Sequence, residues 1–215
     1  MVDDAWFDRK NVFNTCDGDS WKVTDGVIAF PNNKTWQQYV DARRLEISCG
    51  EAPYLVSRYN TVTGEPIQVR DRIGILDRKL RIVSENTQTE EDWLKWAIRA
   101  FQSTYGYEYQ GDNVLLAREN LLFTFEDYMV NKFDKKPTLV QMKKIANIVA
   151  WNIWQMNGIT MTTPYSEAAP LHRQMTIFDY MNDNVEEEKV PMYSLIRDWR
   201  VEETIEFRSL MSEGC

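Results

Sequence analysis

Apolar and polar positions follow two different periods along the chain. From Leu45 they alternate, as in a half-buried strand, until Gly50 interrupts the pattern. The aromatic run 105–109 is typical of a second strand. Apolar residues at helical spacing predict helices over 90–103, 112–133 and 139–156.

Capping residues mark where two of these helices begin. Thr89 precedes three acidic residues, and negative charge there suits the positive end of a helix dipole. Thr138 and Gln141 have the spacing of a capping box at the start of the last helix.

Shorter elements are predicted on both sides of this helical region. The pair Asp25-Gly26 favours a tight turn and predicts a hairpin over 21–30. Residues 61–88 have a mixed pattern that fits either helix or strand. The remaining expectations are a loop with one short helix over 158–190, a strand over 192–199 and a partner element over 205–210.

The alternation of strands with long helices predicts an α/β fold with a mostly parallel sheet. Residues 1–44 form an N-terminal hairpin and linker segment in this interpretation. Residues 45–215 form the core, and 61–103 is a long helical insertion within it.

Composition narrows the functional classes. The 215 residues include 13% aromatics and carry a net charge of −8, so a packed core is expected and a large basic groove for nucleic acid is not. Three Cys without a CxxC pair and a single His argue against a disulfide scaffold and a metal centre. The cysteine usage fits a reducing, cytoplasmic setting. The acidic, aromatic N-terminus does not resemble a signal peptide, and no apolar run is long enough to predict a membrane segment.

The segment LEISCGEAPY, residues 45–54, is the first candidate for chemistry. A strand that ends in Cys-Gly and continues into small residues lets backbone approach a nucleotide, since Gly50 has no Cβ. Glu51 would repel a phosphate but tolerate a cationic sulfonium ligand. The alternative interpretation is a plain strand and turn with Gly50 at the bend.

Two further carboxylates lie at the ends of predicted strands. Glu108 precedes a helix, where acidic residues of nucleotide-binding domains accept hydrogen bonds from ribose hydroxyls. It lies 58 residues from Gly50, which is longer than the usual separation and leaves an exposed edge Glu as the alternative. Asp198 follows the apolar run of the last strand, and its alternative role is a surface partner for Arg197 or Arg200.

Other conspicuous residues have structural interpretations. The basic stretch 70–81 also contains Asp residues, which favours a solvated helix face over a phosphate-binding surface. His172 lacks a nearby nucleophile, and Trp151 and Trp154 fit a helical core face.

Several long segments, taken in order, resemble the core of restriction-modification enzymes with an N6-adenine DNA methyltransferase domain, the restriction endonuclease subunit M family. The segments that carry the resemblance are TWQQYVDARRLEISCGEAPYLVSRY, RIGILDRKLRIVSENTQTEEDWLKWAIRAFQSTYGYEYQGDNVLLARENLLFTF, IANIVAWNIWQMNG, SLIRDWR and IEFRSL. The similarity covers residues 1–210.

The resemblance implies a partial Rossmann-like methyltransferase fold that binds S-adenosylmethionine. The residues that would line the methionine end of the cofactor are Glu46, Cys49, Gly50 and Ala52. Glu108 would bind the ribose and Asp198 would lie near the adenine amino group of the cofactor. A long insertion between these motifs is a trait of the family, which accounts for the wide spacing.

The chain departs from the family at the catalytic motif. These enzymes hold the flipped adenine with a tetrapeptide of the Asn-Pro-Pro-Tyr type, and no Pro-Pro pair occurs here. We also expect no counterpart of the upstream cofactor-contacting segment or of a target-recognition domain, with Cys215 standing about where the approach to the motif begins. We therefore expect the cofactor-binding half of a methyltransferase, with no catalytic residue of its own, completed by a second polypeptide through which DNA is contacted.

Two other interpretations stay open at this point. In the first, the chain is expected to be a phage or mobile-element inhibitor that imitates or binds a subunit of a host restriction or CRISPR complex. Acidic residues that would compete with DNA in that case include Glu186, Glu187, Glu188, Glu202 and Glu203. In the other, the chain is a fragment without independent activity.

Overall fold

The computed structural model describes residues 2–18, 20–166 and 191–212. The chain folds as two compact units, Met1–Trp154 and Gln155–Cys215. This division falls at a different place from the predicted boundary between 44 and 45. Each unit is described by itself.

The first unit contains six α-helices and five strands within the described residues. Its helices are α1 (Val2–Phe7), α2 (Trp36–Asp41), α3 (Ile75–Asn86), α4 (Glu90–Gln102), α5 (Gly111–Phe133) and α6 (Leu139–Asn152). Its strands are β1 (Asn14–Asp17), β2 (Ser20–Val23), β3 (Arg44–Ile47), β4 (Thr104–Glu108) and β5 (Ile153–Gln155), the last of which ends at the division between the units.

A three-stranded sheet in the order β3-β4-β5 lies at the centre of this unit. Strands β3 and β4 pair in parallel, with Leu45 opposite Tyr105 and Ile47 opposite Tyr107. Helices α3 and α4 form the connection from β3 to β4, as a parallel pair requires. The predicted α/β class with a parallel sheet is confirmed at this level.

The apolar core packs helices against this sheet. Trp93 and Phe125 stack with ring centroids 5.8 Å apart, and Phe101 meets Phe125 edge to face at 6.0 Å. Leu76 and Leu80 of α3 are fully buried. The predicted insertion 61–103 thus supplies two core helices, since α3 and α4 pack on each other and α4 also packs on β4.

Helix starts agree with the caps expected from the sequence. The Thr89 side chain accepts a hydrogen bond from the Asp92 amide, and α4 follows at once. Thr138 and Gln141 form the capping box of α6. The prediction that α6 runs to 156 is wrong, because the chain enters β5 after Asn152.

Asn152 explains this early helix end. Its buried amide donates hydrogen bonds to the carbonyls of Phe101 (2.9 Å) and Thr104 (3.0 Å), at the point where α4 leads into β4. The side chain thereby fixes the end of α6 beside β4, and the next residues extend as a strand. The β-branched and aromatic residues Ile153 and Trp154 suit that conformation.

The N-terminal hairpin exists, but not at the predicted place. Strand β2 pairs antiparallel with β1, with Cys16 opposite Trp21, so the turn lies near Gly18. Gly26 has a positive φ of 79°, as a turn at Asp25-Gly26 requires, yet no strand follows it. Ile28 explains this: its amide donates to the Glu85 carboxylate at 2.9 Å instead of to a neighbouring strand.

The basic stretch 70–81 is not a solvated face, which corrects the expectation from sequence. Arg72 is 8% exposed and Lys79 is 1% exposed. The Lys79 ammonium donates to the carbonyl oxygens of Ala42 (2.7 Å) and Ser103 (3.1 Å) and to the Ser103 hydroxyl (2.6 Å). Burial lowers the pKa of Lys79 well below its usual value. The Lys79 side chain thus joins the segments that lead into β3 and β4.

The second unit contains an antiparallel pair in its described part. Strands β6 (Leu195–Asp198) and β7 (Glu203–Glu206) pair with each other, and the short helix α7 (Ser209–Ser212) follows. The strand and the partner element predicted here are therefore present. Most of the loop predicted over 158–190, from 167 onward, lies outside the described residues.

No helix in the described ranges is both long enough and apolar enough to cross a membrane.

Candidate functional site: the carboxyl edge of the parallel strands

The turn after β3 has an unusual backbone, and it forms one side of the candidate site. Positive φ angles occur at Ser48 (52°), Gly50 (54°) and Ala52 (68°). A glycine adopts this conformation without cost, whereas each of the other two residues loses roughly 1 kcal/mol. A Cβ built on Gly50 has no described atom within 4 Å, so the space beside this glycine is open.

A bulge at Ser48 starts this turn. The Arg44 amide donates to the Ser103 carbonyl at 2.9 Å. In a regular parallel ladder every second amide points to the same neighbour, so the amide of Ser48 would also donate to β4. Cys49, one residue later than that alternation predicts, donates to the Tyr107 carbonyl at 2.9 Å. The extra residue directs the chain across the end of β4 and toward Glu108.

Glu108 connects the ends of the two strands. One carboxylate oxygen accepts the Gly50 amide at 2.9 Å, and the other accepts the amides of Tyr109 (2.9 Å) and Gln110 (3.1 Å). The residue is 9% exposed. A carboxylate has about four acceptor positions, so about one stays available for a ligand.

Cys49 lies beneath the turn, with its side chain turned into the protein. It is 2% exposed, and its burial raises the pKa of the thiol to about 12, with the nearby charges of Glu108 and Glu46 acting in the same direction. Gly106 of β4 makes room for it, because a Cβ there would lie 3.2 Å from the Cys49 sulfur. Cys49 is therefore a packed, protonated thiol at neutral pH rather than a nucleophile.

Glu46 contributes a half-buried carboxylate on the other side of the turn. Partial burial raises its pKa. It lines a cavity of about 700 Å³ together with Tyr54 and Trp21. A carboxylate among aromatic rings suits a positively charged group. Gly50 and Glu108 do not line this cavity.

The remaining predicted residues have different positions. Ala52 is fully buried, backbone included, so it shapes the turn without contacting a ligand. Glu51 accepts a hydrogen bond from the Tyr59 hydroxyl, and its carbonyl accepts the Asn120 amide at 3.0 Å. The carboxylate of Glu51 is therefore turned to a neighbouring loop.

Asp198 ends a strand, as predicted, but not a strand of the parallel sheet. It belongs to β6, which pairs only with β7 among the described strands, and the third strand of the sheet is β5. Its carboxylate accepts the Arg200 amide at 2.9 Å. The structure thus brings together Cys49, Gly50 and Glu108 in the first unit, with Glu46 facing a neighbouring cavity, and places Asp198 in the second unit.

A buried polar cluster under the 700 Å³ cavity was not found from the sequence. One Asp77 oxygen accepts the amides of Ser57 (2.7 Å) and Gly74 (3.2 Å), while its other oxygen is buried without a hydrogen-bond partner. Burial raises the pKa of this carboxyl. A Cβ on Gly74 would lie 2.4 Å from the Leu55 carbonyl, so glycine is required there. The only signal in the sequence was Gly74 before an apolar helix.

A second cavity of about 580 Å³ shares Trp21 with the first. The Trp21 indole donates to the Asp71 carbonyl at 3.2 Å, which fixes the ring between the two cavities. Within the ranges that the structure covers, no group of three or more His, Cys, Asp or Glu side chains is arranged to hold a metal ion.

Comparison of the chain with protein-family models, with curated proteins and with solved structures returned no match.

Proposed function

We propose that this chain is the S-adenosylmethionine-binding half of an N6-adenine DNA methyltransferase, with the catalytic half on another polypeptide. The observation that carries the proposal is the hydrogen bond between the Gly50 amide and the Glu108 carboxylate. It joins a glycine turn and an acidic residue at the carboxyl ends of two parallel strands, where sheets of this class bind nucleosides.

The charge at this edge supports a cationic ligand. Glu46 and Glu108 both raise the pKa of Cys49, so both act as negative charges close to the turn. Such an edge repels the phosphates of a dinucleotide and attracts a sulfonium or an ammonium group. S-adenosylmethionine has both of these cations and a ribose, and it has no phosphate.

The residues present fit this cofactor in part. Open space beside Gly50 suits close approach of a ligand, Glu46 suits the ammonium group, and Glu108 has about one acceptor position for a ribose hydroxyl. Cys49 and Ala52 are buried, so they would shape the turn instead of touching the ligand through their side chains. When bound, the cofactor supplies the activated methyl group. The role of this chain is to bind and orient it.

Calorimetry with S-adenosylmethionine tests the proposal. We expect binding in the micromolar range, and a loss of about tenfold or more in Glu46→Gln, since an opposite charge would be removed from a half-buried site. Glu51→Gln is the matched control and should change the affinity little, because that carboxylate bonds to Tyr59. Well-folded protein that gives no heat with the cofactor would contradict the proposal.

Ligand analogues separate the charge argument from simple nucleoside binding. S-adenosylhomocysteine lacks the sulfonium charge, so it should bind more weakly than S-adenosylmethionine. NAD should not bind, because its phosphates meet Glu46 and Glu108. Equal affinity for all three ligands would remove the electrostatic basis of the proposal.

The purified chain should not methylate DNA by itself. The Asn-Pro-Pro-Tyr type of motif is absent from the sequence, so no residue here is assigned to hold the target adenine. Transfer of a labelled methyl group to adenine by the purified chain would contradict this division of roles.

The inhibitor interpretation has less support. Its acidic face depends on Glu186, Glu187 and Glu188, which lie outside the described residues, and on Glu202 and Glu203, which are exposed. Cofactor binding with no stoichiometric partner recovered from cells that carry defence systems would exclude it.

A further inference from the structure

Strand β3 ends the described sheet, and no described strand pairs with its outer edge. The sheet order begins with β3, and β4 is its one neighbour among the described strands. The Arg44 amide points toward β4, so in the alternation of a strand the backbone groups of Leu45 and Ile47 point away from it. Within the described residues, these groups have no hydrogen-bond partner.

The side chains of the same two residues are also uncovered. Leu45 is 42% exposed and Ile47 is 63% exposed. Natural proteins commonly protect an edge strand by short length, charged side chains, a proline or a covering segment, because an open edge pairs with other chains. Strand β3 is short and carries Arg44 and Glu46, but in the alternation of a strand these two side chains lie on the face opposite Leu45 and Ile47. Here the bare backbone and the apolar side chains occur at the same two positions.

We propose that β3 accepts an extended segment of a second polypeptide as an additional strand of the sheet. Main-chain hydrogen bonds to Leu45 and Ile47 would supply the attachment, and alternate apolar side chains of the segment would cover theirs. The charges along β3 define the segment further. Arg44 lies at its amino end, and Glu46 lies toward its carboxyl end, so a parallel segment that begins with acidic residues and ends with basic ones is complementary.

The parallel direction rests on the proposed function, whereas the docking does not. A parallel strand would place its carboxyl end beside the Gly50 turn, on the open side of the cofactor site. The segment is thus the part of the complementing polypeptide that would complete this site.

A designed peptide tests the docking. The probe has two Asp residues at its amino end, alternating Ile and Thr, and two Lys residues at its carboxyl end. We expect it to bind the full chain, and a version N-methylated on the amides that face β3 to bind at least tenfold more weakly. A third peptide with the end charges exchanged tests the direction and should also bind less tightly.

Hydrogen exchange gives a readout that side-chain docking would not produce. In saturating peptide, the amides of Leu45 and Ile47 should exchange at least tenfold more slowly, while those of Arg44 and Cys49, which already bond to β4, should change little. Ile47→Pro removes an outward amide without removing a bond to β4, and should abolish the protection at Leu45. Ile47→Thr keeps the backbone and tests the side chain if the proline variant does not fold.

Several results would overturn the proposal. One is equal binding of the N-methylated peptide, and another is unchanged exchange at Leu45 and Ile47. A third is a dimer of the chain alone that Ile47→Pro dissociates, since the occupant would then be a second copy. Peptide binding without cofactor binding would refute only the proposed function, and cofactor binding without peptide binding would refute only the docking.

Discussion

The Cys49 thiol should react far more slowly than an ordinary cysteine, and the structure gives the size of the effect. Its pKa is raised from 9.0 to about 12. At pH 8 the thiolate fraction therefore falls from roughly 10% to roughly 0.01%, a loss of about 1000-fold. A more basic thiolate is a better nucleophile, and this raises the reaction rate of each thiolate by a factor of roughly 15 to 30. The net expectation is a rate about 30 to 60 times lower, before burial is considered.

The assay uses Cys16→Ser/Cys215→Ser, in which Cys49 is the remaining cysteine. Labelling by iodoacetamide, followed by mass spectrometry, is compared for native protein and for protein unfolded in urea at the same pH. The 2% exposure of Cys49 should slow the native reaction beyond the factor that its pKa provides. A native rate within tenfold of the unfolded rate would refute both the buried position of this thiol and the geometry of the turn above it.

The same shift predicts how stability depends on pH. The folded state favours the protonated thiol, so its contribution is fully present below pH 9 and is lost as the pH rises from 9 toward 12. The difference in unfolding free energy between wild type and Cys49→Ala should therefore shrink above pH 9. A difference that grows with pH would contradict the direction of the pKa shift.

Two substitutions test the packing around the site by urea unfolding. Gly106→Ala should destabilise the fold by about 1 kcal/mol, because the new methyl group lies 3.1–3.2 Å from three side-chain atoms, and adding Cys49→Ala should reverse part of the loss. Full additivity of the two changes would show that they do not share the space. Lys79→Met should cost about 2 kcal/mol, since it leaves buried acceptors without a donor. The control Lys95→Met, at an exposed position, should stay within about 0.5 kcal/mol, and an equal cost for both would contradict the role given to Lys79.

Local patterns predicted those elements whose ends are set by neighbouring residues. Helix α4 begins where Thr89 caps it, and α6 begins at its capping box, because these bonds form within a few residues of the chain. The end of α6 was not predictable in this way. It depends on Asn152, whose partners Phe101 and Thr104 lie about fifty residues earlier.

The burial of Lys79 also could not be predicted from neighbouring residues in the sequence. The Asp residues among the basic ones in 70–81 favoured a solvated helix face, yet Lys79 is buried because α3 passes beneath the entries to β3 and β4. A single sequence does not show which carbonyl groups surround a side chain. A solvated lysine was therefore the natural expectation.

The candidate site was partly predictable from strand ends. Gly50 and Glu108 meet because parallel strands align their carboxyl ends, and both residues lie at the ends of predicted strands. The same reasoning was wrong for the strand of Asp198, since it cannot tell which sheet a strand joins. The functional assignment came from the resemblance and stays a proposal.

The three amides around Glu108 have a consequence for any molecule that uses this carboxylate. They come from the turn after β3 and from the residues that lead into α5, so one side chain holds two separate stretches of backbone in place. A ligand hydroxyl that donates a hydrogen bond to Glu108 has to share a carboxylate oxygen with these backbone amides. Ligand binding at Glu108 and the conformation of the turn after β3 are then linked. A ligand that leaves the hydrogen bond between Gly50 and Glu108 intact will bind more tightly than one that breaks it.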